Sequence, residues 1–434
     1  MLSDKRIKGG LHRKDPEKTG FRPIYDMIEK STKFEPLFMT SLYGFILDLS
    51  VKEEDSEYLG LDETREFTKP VVDYVLKLVV LSKIHEVNLH TPYTGYMKRT
   101  MIISDFIKEA KYQHNIWMKS IERGEPICPS VANLSILKNT PKTIAYFQSI
   151  VQKHTTDAGI ASLFQYLQTV MNHPTTIGIG FMLMPKINQS ETMSKLIMRK
   201  KPEEQSAAIN AFVLNLCRLY LEGFLHADLH SSNTLVYTDD DRKIKNMIID
   251  FGRVSDANIG LGDKYLCPAQ KNGMCRSVSL SINQIKASSN PEEIYGVVRQ
   301  ILSDIIHVEN YVSQKQGHGT PPQMYWVHAF IIDNAREKCD TVTSITPECF
   351  RDENVKYVAE RLFEIYKTEP KKVSGNFIKF GLQESSYVDD LMYVDAEEET
   401  PMCDLFGFCR FGGGRKASRK ARLRKKRCTK RRKT

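Results

Sequence analysis

Nowhere in these 434 residues does an apolar run approach the roughly 18 residues needed to cross a bilayer. The first ten residues are polar, so no secretory leader is expected. The nine cysteines are odd in number and scattered from Cys128 to Cys428, with no Cys-x-x-Cys pair. That distribution argues against a zinc site or redox motif and for a reducing compartment. No segment repeats at a fixed period. Acidic residues are missing altogether from 415–434, which hold 13 Lys and Arg. The formal charge of +9 therefore belongs to this tail; +9 less 13 leaves a mildly acidic body of −4. With 41% apolar and 26% charged residues, that body has ordinary globular composition and length enough for two or three lobes.

Two linked motifs lie in residues 224–252. The first is His226-x-Asp228-Leu229-x-x-x-Asn233; the second is Asp250-Phe251-Gly252, preceded by Met247-Ile248-Ile249. Between them, Thr238-Asp239-Asp240-Asp241-Arg242 reads as a turn joining two short apolar strands. Moving a γ-phosphoryl group requires a carboxylate near the acceptor hydroxyl and oxygen ligands that hold Mg²⁺ against the phosphates. Asp228, Asn233 and Asp250 make up such a set. Together and in this order, the motifs resemble the catalytic loop and metal-binding motif of the protein-kinase superfamily.

Other segments fall into place around that loop. Thr40-Ser41-Leu42-Tyr43-Gly44-Phe45 resembles a nucleotide-covering loop that keeps one glycine, Gly44; an ordinary strand pair is the alternative. The β-rich run Tyr74-Val75-Leu76-Lys77-Leu78-Val79-Val80-Leu81 carries one cation. Lys77 there either snorkels from an edge strand or reaches a buried anion, with Lys69 and Lys83 as substitutes for the second role. Residues 103–121 have helical periodicity, with Ser104 and Asp105 as the expected cap. Glu109 flanks the apolar stripe, either solvated or paired with the strand lysine. Residues 141–175 form a long insertion with helical patterns at Ile144, Phe147, Ile150 and Val151, then at Phe164, Leu167, Val170 and Met171. Gly178 to Pro185 reads as a buried strand leading into a hinge, where backbone groups near Leu183 and Met184 would meet an adenine edge. Ile209, Phe212, Val213, Leu216, Tyr220 and Phe224 define a helix that feeds into His226. Residues 290–298 read as the start of an anchoring helix with Glu293 in place of the usual aspartate.

The resemblance implies an α+β, bilobal protein-kinase-like fold with a smaller β-rich lobe and a larger helical lobe. Its expected divisions are an extension at 1–35, the β-rich lobe at 36–185 with the insertion at about 141–175, the helical lobe at 186–395, and a linker with a disordered basic tail at 396–434. It also implies roles. Asp228 orients or accepts the hydroxyl proton, Asn233 and Asp250 bind Mg²⁺, Lys77 neutralises ATP phosphates, Glu109 orients Lys77, and Gly44 lets a loop close over the nucleotide. His226 is expected to pack near Phe251 rather than move a proton. The likeness extends over about 36–300 and is greatest to divergent Ser/Thr protein kinases of large nucleocytoplasmic DNA viruses, the poxvirus type included. They share the sparse Thr-x-x-Tyr-Gly loop, the Tyr-Val-x-Lys strand, the long insertion and the His-Ala-Asp-Leu loop.

The chain departs from that pattern in places. Ala227 replaces the arginine that pairs with a phosphorylated activation segment. His230 stands where a lysine usually reaches the γ-phosphate. No Ala-Pro-Glu follows Asp250-Phe251-Gly252; Cys267-Pro268-Ala269 is the nearest echo. Three functions fit this pattern. The first is an ATP- and Mg²⁺-dependent Ser/Thr kinase acting on protein substrates inside an infected cell, in cytoplasm, nucleus or virion. The second is a small-molecule or lipid kinase of the UbiB or aminoglycoside-phosphotransferase type. The third is a pseudokinase scaffold, against which the retention of all five charged and polar site residues argues. The 415–434 tail is expected to bind nucleic acid or another polyanion.

Overall fold

The computed structural model describes 33–51 apart from 39–42, 73–83, 97–138, 176–256 apart from 200, 278–315, 325–333 and 345–371, with isolated positions elsewhere. Lys69, positions 40–42, most of the insertion, the Cys267-Pro268-Ala269 segment and the basic tail lie outside the described residues. Within the insertion, Ala145, Gln148, Gln152, Leu163 and Leu167 are helical, while Ile144, Phe147, Ile150 and Val151 lie outside the description.

The first half of the described chain is a sheet with one long helix. Its strands are β1 (Lys33–Phe38), β2 (Phe45–Ser50), β3 (Asp73–Ser82), a short hairpin of β4 (Asn88–His90) and β5 (Met97–Arg99), and β6 (Met101–Ile102). Then come α1 (Ile103–Glu122), β7 (Asn133–Lys138) and β8 (Thr176–Pro185). Five strands run antiparallel in the order β1-β2-β3-β8-β7, and β6 adds to the end of β3 in parallel. β3 is the middle strand, so neighbours such as Leu78 and Val79, which point to opposite faces, are both fully buried. Lys77 sits among them, opposite Ile46 on one side and Met182 on the other, which removes the edge-strand alternative.

Helix α1 buries Ile103, Phe106, Ile107, Ala110, Gln113, Ile116 and Trp117, the three- and four-residue spacing of one face. With Ser104 as its cap it would begin at Asp105; it begins two residues earlier, at Ile103. Ile102 is the capping position and offers no side-chain oxygen; Ser104 and Asp105 lie inside the first turn, where Asp105 complements the helix dipole. Gly180 lets the helix approach closely, because a Cβ there would lie 2.6 Å from the Phe106 ring. Gly180 pairs with Val79, two residues from Lys77. The contact thus brings Glu109, about one turn past Phe106, over the lysine.

The second half holds β9 (Glu191–Thr192), α2 (Met193–Met198), α3 (Pro202–Leu221) and β10 (Phe224–Leu225). The hairpin of β11 (Thr234–Thr238) and β12 (Ile244–Ile248) follows, then β13 (Ser255–Asp256). Helices α4 (Val278–Ala287), α5 (Tyr295–Lys315), α6 (Tyr325–Ile331) and α7 (Asp352–Lys367) complete it. Pro202 opens α3 at the first turn, where its missing N–H costs nothing, and Glu203 and Glu204 reinforce that end. Phe212 and Leu216 of α3, Ile301 and Ile305 of α5, and Val358 and Leu362 of α7 share one core. Ile116, Trp117 and Ile121 of α1 belong to the same core. Each such side chain contributes about 1.5–3 kcal/mol on burial, so the last turns of α1 are anchored in the helical half. Arg218 of α3, fully buried, adds hydrogen bonds to the carbonyls of Ser120 (3.3 Å) and Glu125 (2.6 Å). The described residues are therefore α+β, with a six-stranded sheet and seven α-helices.

Cys339 and Cys349 form a disulfide beside the antiparallel pairing of Ile332 with Phe350. Cys128 and Cys217 are free and buried. No described helix is long and apolar enough to cross a membrane.

Candidate functional site

Three charges from distant parts of the sequence converge between the two halves. The Lys77 ammonium lies 2.5 Å from Glu109 Oε1 and 3.3 Å from Asp250 Oδ1. Lys77 and Glu109 are almost fully buried, while the Asp250 carboxylate is about half exposed at 48%. Burial disfavours the Lys77 charge, but the Asp250 and Glu109 carboxylates outweigh it and its pKa is raised. The Lys77 ammonium in turn holds the Asp250 carboxyl below its ordinary value. Glu109 shifts upward, chiefly through burial and despite Lys77. Its second oxygen, Oε2, is buried without a hydrogen-bond partner among the described residues.

The loop carrying Asp228 is fixed by its backbone. Ala227 and Asp250 both have left-handed conformations, φ +63° and +65°. Asp tolerates that region better than Ala, so the strain at Ala227 must be held from outside. Glu309 of α5 does this. Its two carboxylate oxygens accept the backbone N–H groups of His226 at 2.7 Å and Ala227 at 2.6 Å. Burial pushes the Glu309 carboxyl up to about 7, the two amide donors opposing the shift. The sequence points to Glu293 for the anchoring role, but it is Glu309 that contacts the loop. Glu293 is exposed and closes the turn at 290–293, accepting from Ser289 N–H at 2.7 Å and Asn290 Nδ2 at 2.8 Å. His226 packs near Phe251 as expected: it is buried, its ring centroid lies 5.1 Å from that of Phe251 with the planes tilted by 56°, and its Nε2 donates to the Ile249 carbonyl at 2.9 Å. Burial lowers its pKa, so it stays neutral, with the proton on Nε2.

Asp228 projects from this loop with its side chain 18% exposed, and its Oδ2 lies 3.5 Å from Arg253 Nε. Asn233, buried, donates from Nδ2 to the Asp228 carbonyl at 2.9 Å, which leaves Oδ1 as its acceptor atom. Its own carbonyl accepts from Ile249 N–H at 2.9 Å, tying the loop to the strand that leads to Asp250. His230 is half-buried; its N–H donates to the Asp228 carbonyl at 3.1 Å and its carbonyl accepts from Asn233 N–H at 2.9 Å. Lys77, Glu109, Asp250, Asp228, Asn233 and His230 thus occupy one region.

The other candidates lie farther along the sheet. Gly44 has φ +94°, and a Cβ there would sit 2.1 Å from the Leu78 carbonyl oxygen. A close approach to β3 therefore requires this glycine whatever it covers. Leu183 and Met184 lie within β8. The Leu183 carbonyl accepts from Ala132 N–H at 2.8 Å, Met184 pairs with Val75, and Gln113 Nε2 donates to the Met184 sulfur at 3.2 Å. β8 continues to Pro185, so the connection to the helical half begins at Lys186, whose N–H donates to the Asp73 carbonyl at 3.0 Å.

Among the described residues no group of three or more His, Cys, Asp or Glu side chains forms a ready metal cage. Mg²⁺ does not need one, since it commonly takes one or two protein oxygens and completes its shell with phosphates and water. Asn233 Oδ1 and the Asp250 carboxylate are donors of that kind, so the residues present fit the ion. Sequence reasoning missed Glu309 and Arg253. An acid within the apolar stripe of a helix was the signal for the first; a cation directly after Asp250-Phe251-Gly252 was the signal for the second. Compared with known proteins, the sequence matches no protein-family model, and no curated protein matches it.

Proposed function

We propose that this chain is an ATP- and Mg²⁺-dependent phosphotransferase of bilobal, protein-kinase-like architecture, and that its acceptors are serine and threonine hydroxyls on proteins. One observation carries the reading: a buried lysine bridges a helix carboxylate and a half-exposed carboxylate, beside a loop that presents a third. A scaffold without chemistry has little use for a buried cation held between two acids, since replacing such groups with apolar residues is often neutral or stabilising.

In this reading Lys77 neutralises phosphate oxygens, and Glu109 keeps its ammonium in place. Asp228 accepts the acceptor hydroxyl's proton. His230 lies within reach of the transferred group. Asn233 and Asp250 hold Mg²⁺, which when bound neutralises charge on the phosphates. Gly44 shapes the turn over the nucleotide, and the end of β8 near Leu183 and Met184 borders the adenine. The basic tail, 415–434, supplies counter-charge for nucleic acid or another polyanion, as suits a viral-type kinase in an infected cell.

The test is transfer of radiolabelled γ-phosphate to a panel of basic and acidic proteins, with aminoglycosides and lipid head-group alcohols in parallel, followed by phosphoamino-acid analysis. Phosphoserine and phosphothreonine are expected. Label on small alcohols alone moves the chain to the other substrate class, phosphotyrosine as main product overturns the Ser/Thr assignment, and no transfer to any acceptor overturns the reading.

A further inference from the structure

The loop that carries Asp228 lacks a cation: His230 occupies the place where a lysine would reach the γ-phosphate. A cation is nonetheless present, from another segment. Arg253, directly after Asp250-Phe251-Gly252, brings Nε to 3.5 Å from Asp228 Oδ2. Its side chain is 22% exposed, yet Nη1 is buried and has no hydrogen-bond partner among the described residues. A guanidinium presents its donors as a rigid planar fork, so the ion pair that draws its Nε edge toward Asp228 restricts where the remaining N–H groups point. A buried donor without an acceptor is unfavourable, and a phosphoryl oxygen is one group that could supply the acceptor once the side chain opens to it.

We propose that Arg253 is a catalytic residue, contributed in cis, that grips the phosphoryl group in flight in place of the absent loop lysine. The inference rests on the phosphotransferase reading. Asp228 at the acceptor and Asp250 at the metal bracket the path of the transferring group, and Arg253 is covalently close to one and ion-paired with the other. During transfer the bond from the γ-phosphorus to the β,γ-bridging oxygen breaks and a bond to the acceptor oxygen forms. The hydroxyl proton passes to Asp228, and ADP leaves with the bridging oxygen's electron pair. Arg253 exchanges no proton; its N–H groups meet charge that spreads over the three equatorial oxygens. Before the nucleotide enters, the same guanidinium neutralises Asp228 and keeps it in position.

The experiment compares native protein with Arg253→Ala and Arg253→Lys, measuring kcat and KM for ATP, with and without free guanidinium ion. Loss of both the grip on the phosphoryl group and the hold on Asp228 is expected to lower kcat about 100-fold in Arg253→Ala, with KM for ATP within about three-fold of native because neither contact is part of ATP binding. Arg253→Lys should recover part of the loss, and millimolar guanidinium should raise turnover of Arg253→Ala but not of native protein. If Arg253→Ala proves unfolded by thermal denaturation, Arg253→Lys carries the test: it keeps the charge, loses the fork, and should still fall at least about ten-fold. Transfer within about three-fold of native in the folded variants overturns the inference and leaves the phosphotransferase reading intact, as does a rise in KM alone. Absence of transfer by native protein overturns both.

Discussion

The sheet half and the helical half each bury a glutamate, and the two are used differently. Glu109, on the helix that packs against the sheet, faces a cation and uses one oxygen; the other has no partner among the described residues. Glu309, deep in the helical half, faces two backbone amides and uses both oxygens. The first positions a side-chain charge, the second a stretch of main chain. A side-chain charge is worth aiming only where something charged will come to meet it. A main-chain clamp is worth building where a strained turn, here at Ala227, has to be held open.

Breaking each clamp tests the contrast. Lys77→Met leaves Glu109 buried without its cation and should cost about 3–5 kcal/mol in urea unfolding, with Mg-ATP binding lost. A stability change under about 1 kcal/mol would mean that Glu109 is already neutral in the native protein. Glu309→Ala strands two buried amides, at about 1–3 kcal/mol each. It should abolish transfer through the displaced Asp228 loop while Mg-ATP binding, which depends on Lys77 and Asp250, stays within a few-fold. Equal loss of binding and transfer would show that the two clamps are not separable.

Acidity sharpens the comparison. The Glu309 carboxyl, raised from 4.5 to about 7, binds its proton more tightly folded than unfolded. Its contribution to stability is therefore fully present below pH 4.5 and is lost as pH rises through 7. Native stability should fall across that window relative to Glu309→Gln, by at most about 1.4 kcal/mol per pH unit. Transfer should move the opposite way, rising as the carboxylate that accepts both amides forms. Parallel denaturation curves for the two proteins from pH 4.5 to 7 would remove Glu309 as the titrating group. The smallest effect is expected at Ala227→Gly, where relief of the left-handed strain and the added chain entropy nearly cancel, within about 1 kcal/mol. A loss above about 2 kcal/mol would show that the methyl group, rather than the turn, is what the site requires.

The first clamp was legible in the sequence and the second was not. Lys77 stands alone in an apolar strand and Glu109 flanks an apolar helix stripe, so residue types and order together point to the pair. Glu309 lies 83 residues beyond His226, inside a helix whose neighbours Ile305, Ile306 and Val308 look like plain core. Nothing local distinguishes an acid that clamps main chain from one that happens to be buried. Glu293 drew the assignment because Asn290-Pro291 marks a helix start, and it does act there, as a local cap. The α1 cap lies two residues before Ser104 for a related reason: Ile102 is the last residue of β6, so the strand rather than a serine sets where the helix begins. The strand read at Gly178 to Pro185 is present as β8, Thr176–Pro185, so Leu183 and Met184 lie among its last residues paired with β3. The disulfide pairs cysteines ten residues apart with no spacing signature to announce them.

The most direct test is single-turnover transfer from saturating Mg-ATP by native protein and by Asp228→Asn, with nucleotide binding measured on both by calorimetry. This variant keeps the size of the side chain and the charges at Lys77, Glu109 and Asp250, and removes only the group assigned to the acceptor proton. The account predicts unchanged Mg-ATP affinity, with transfer slowed by about 100-fold or more. Near-native transfer by Asp228→Asn, or failure of the native protein to bind Mg-ATP at all, would contradict it.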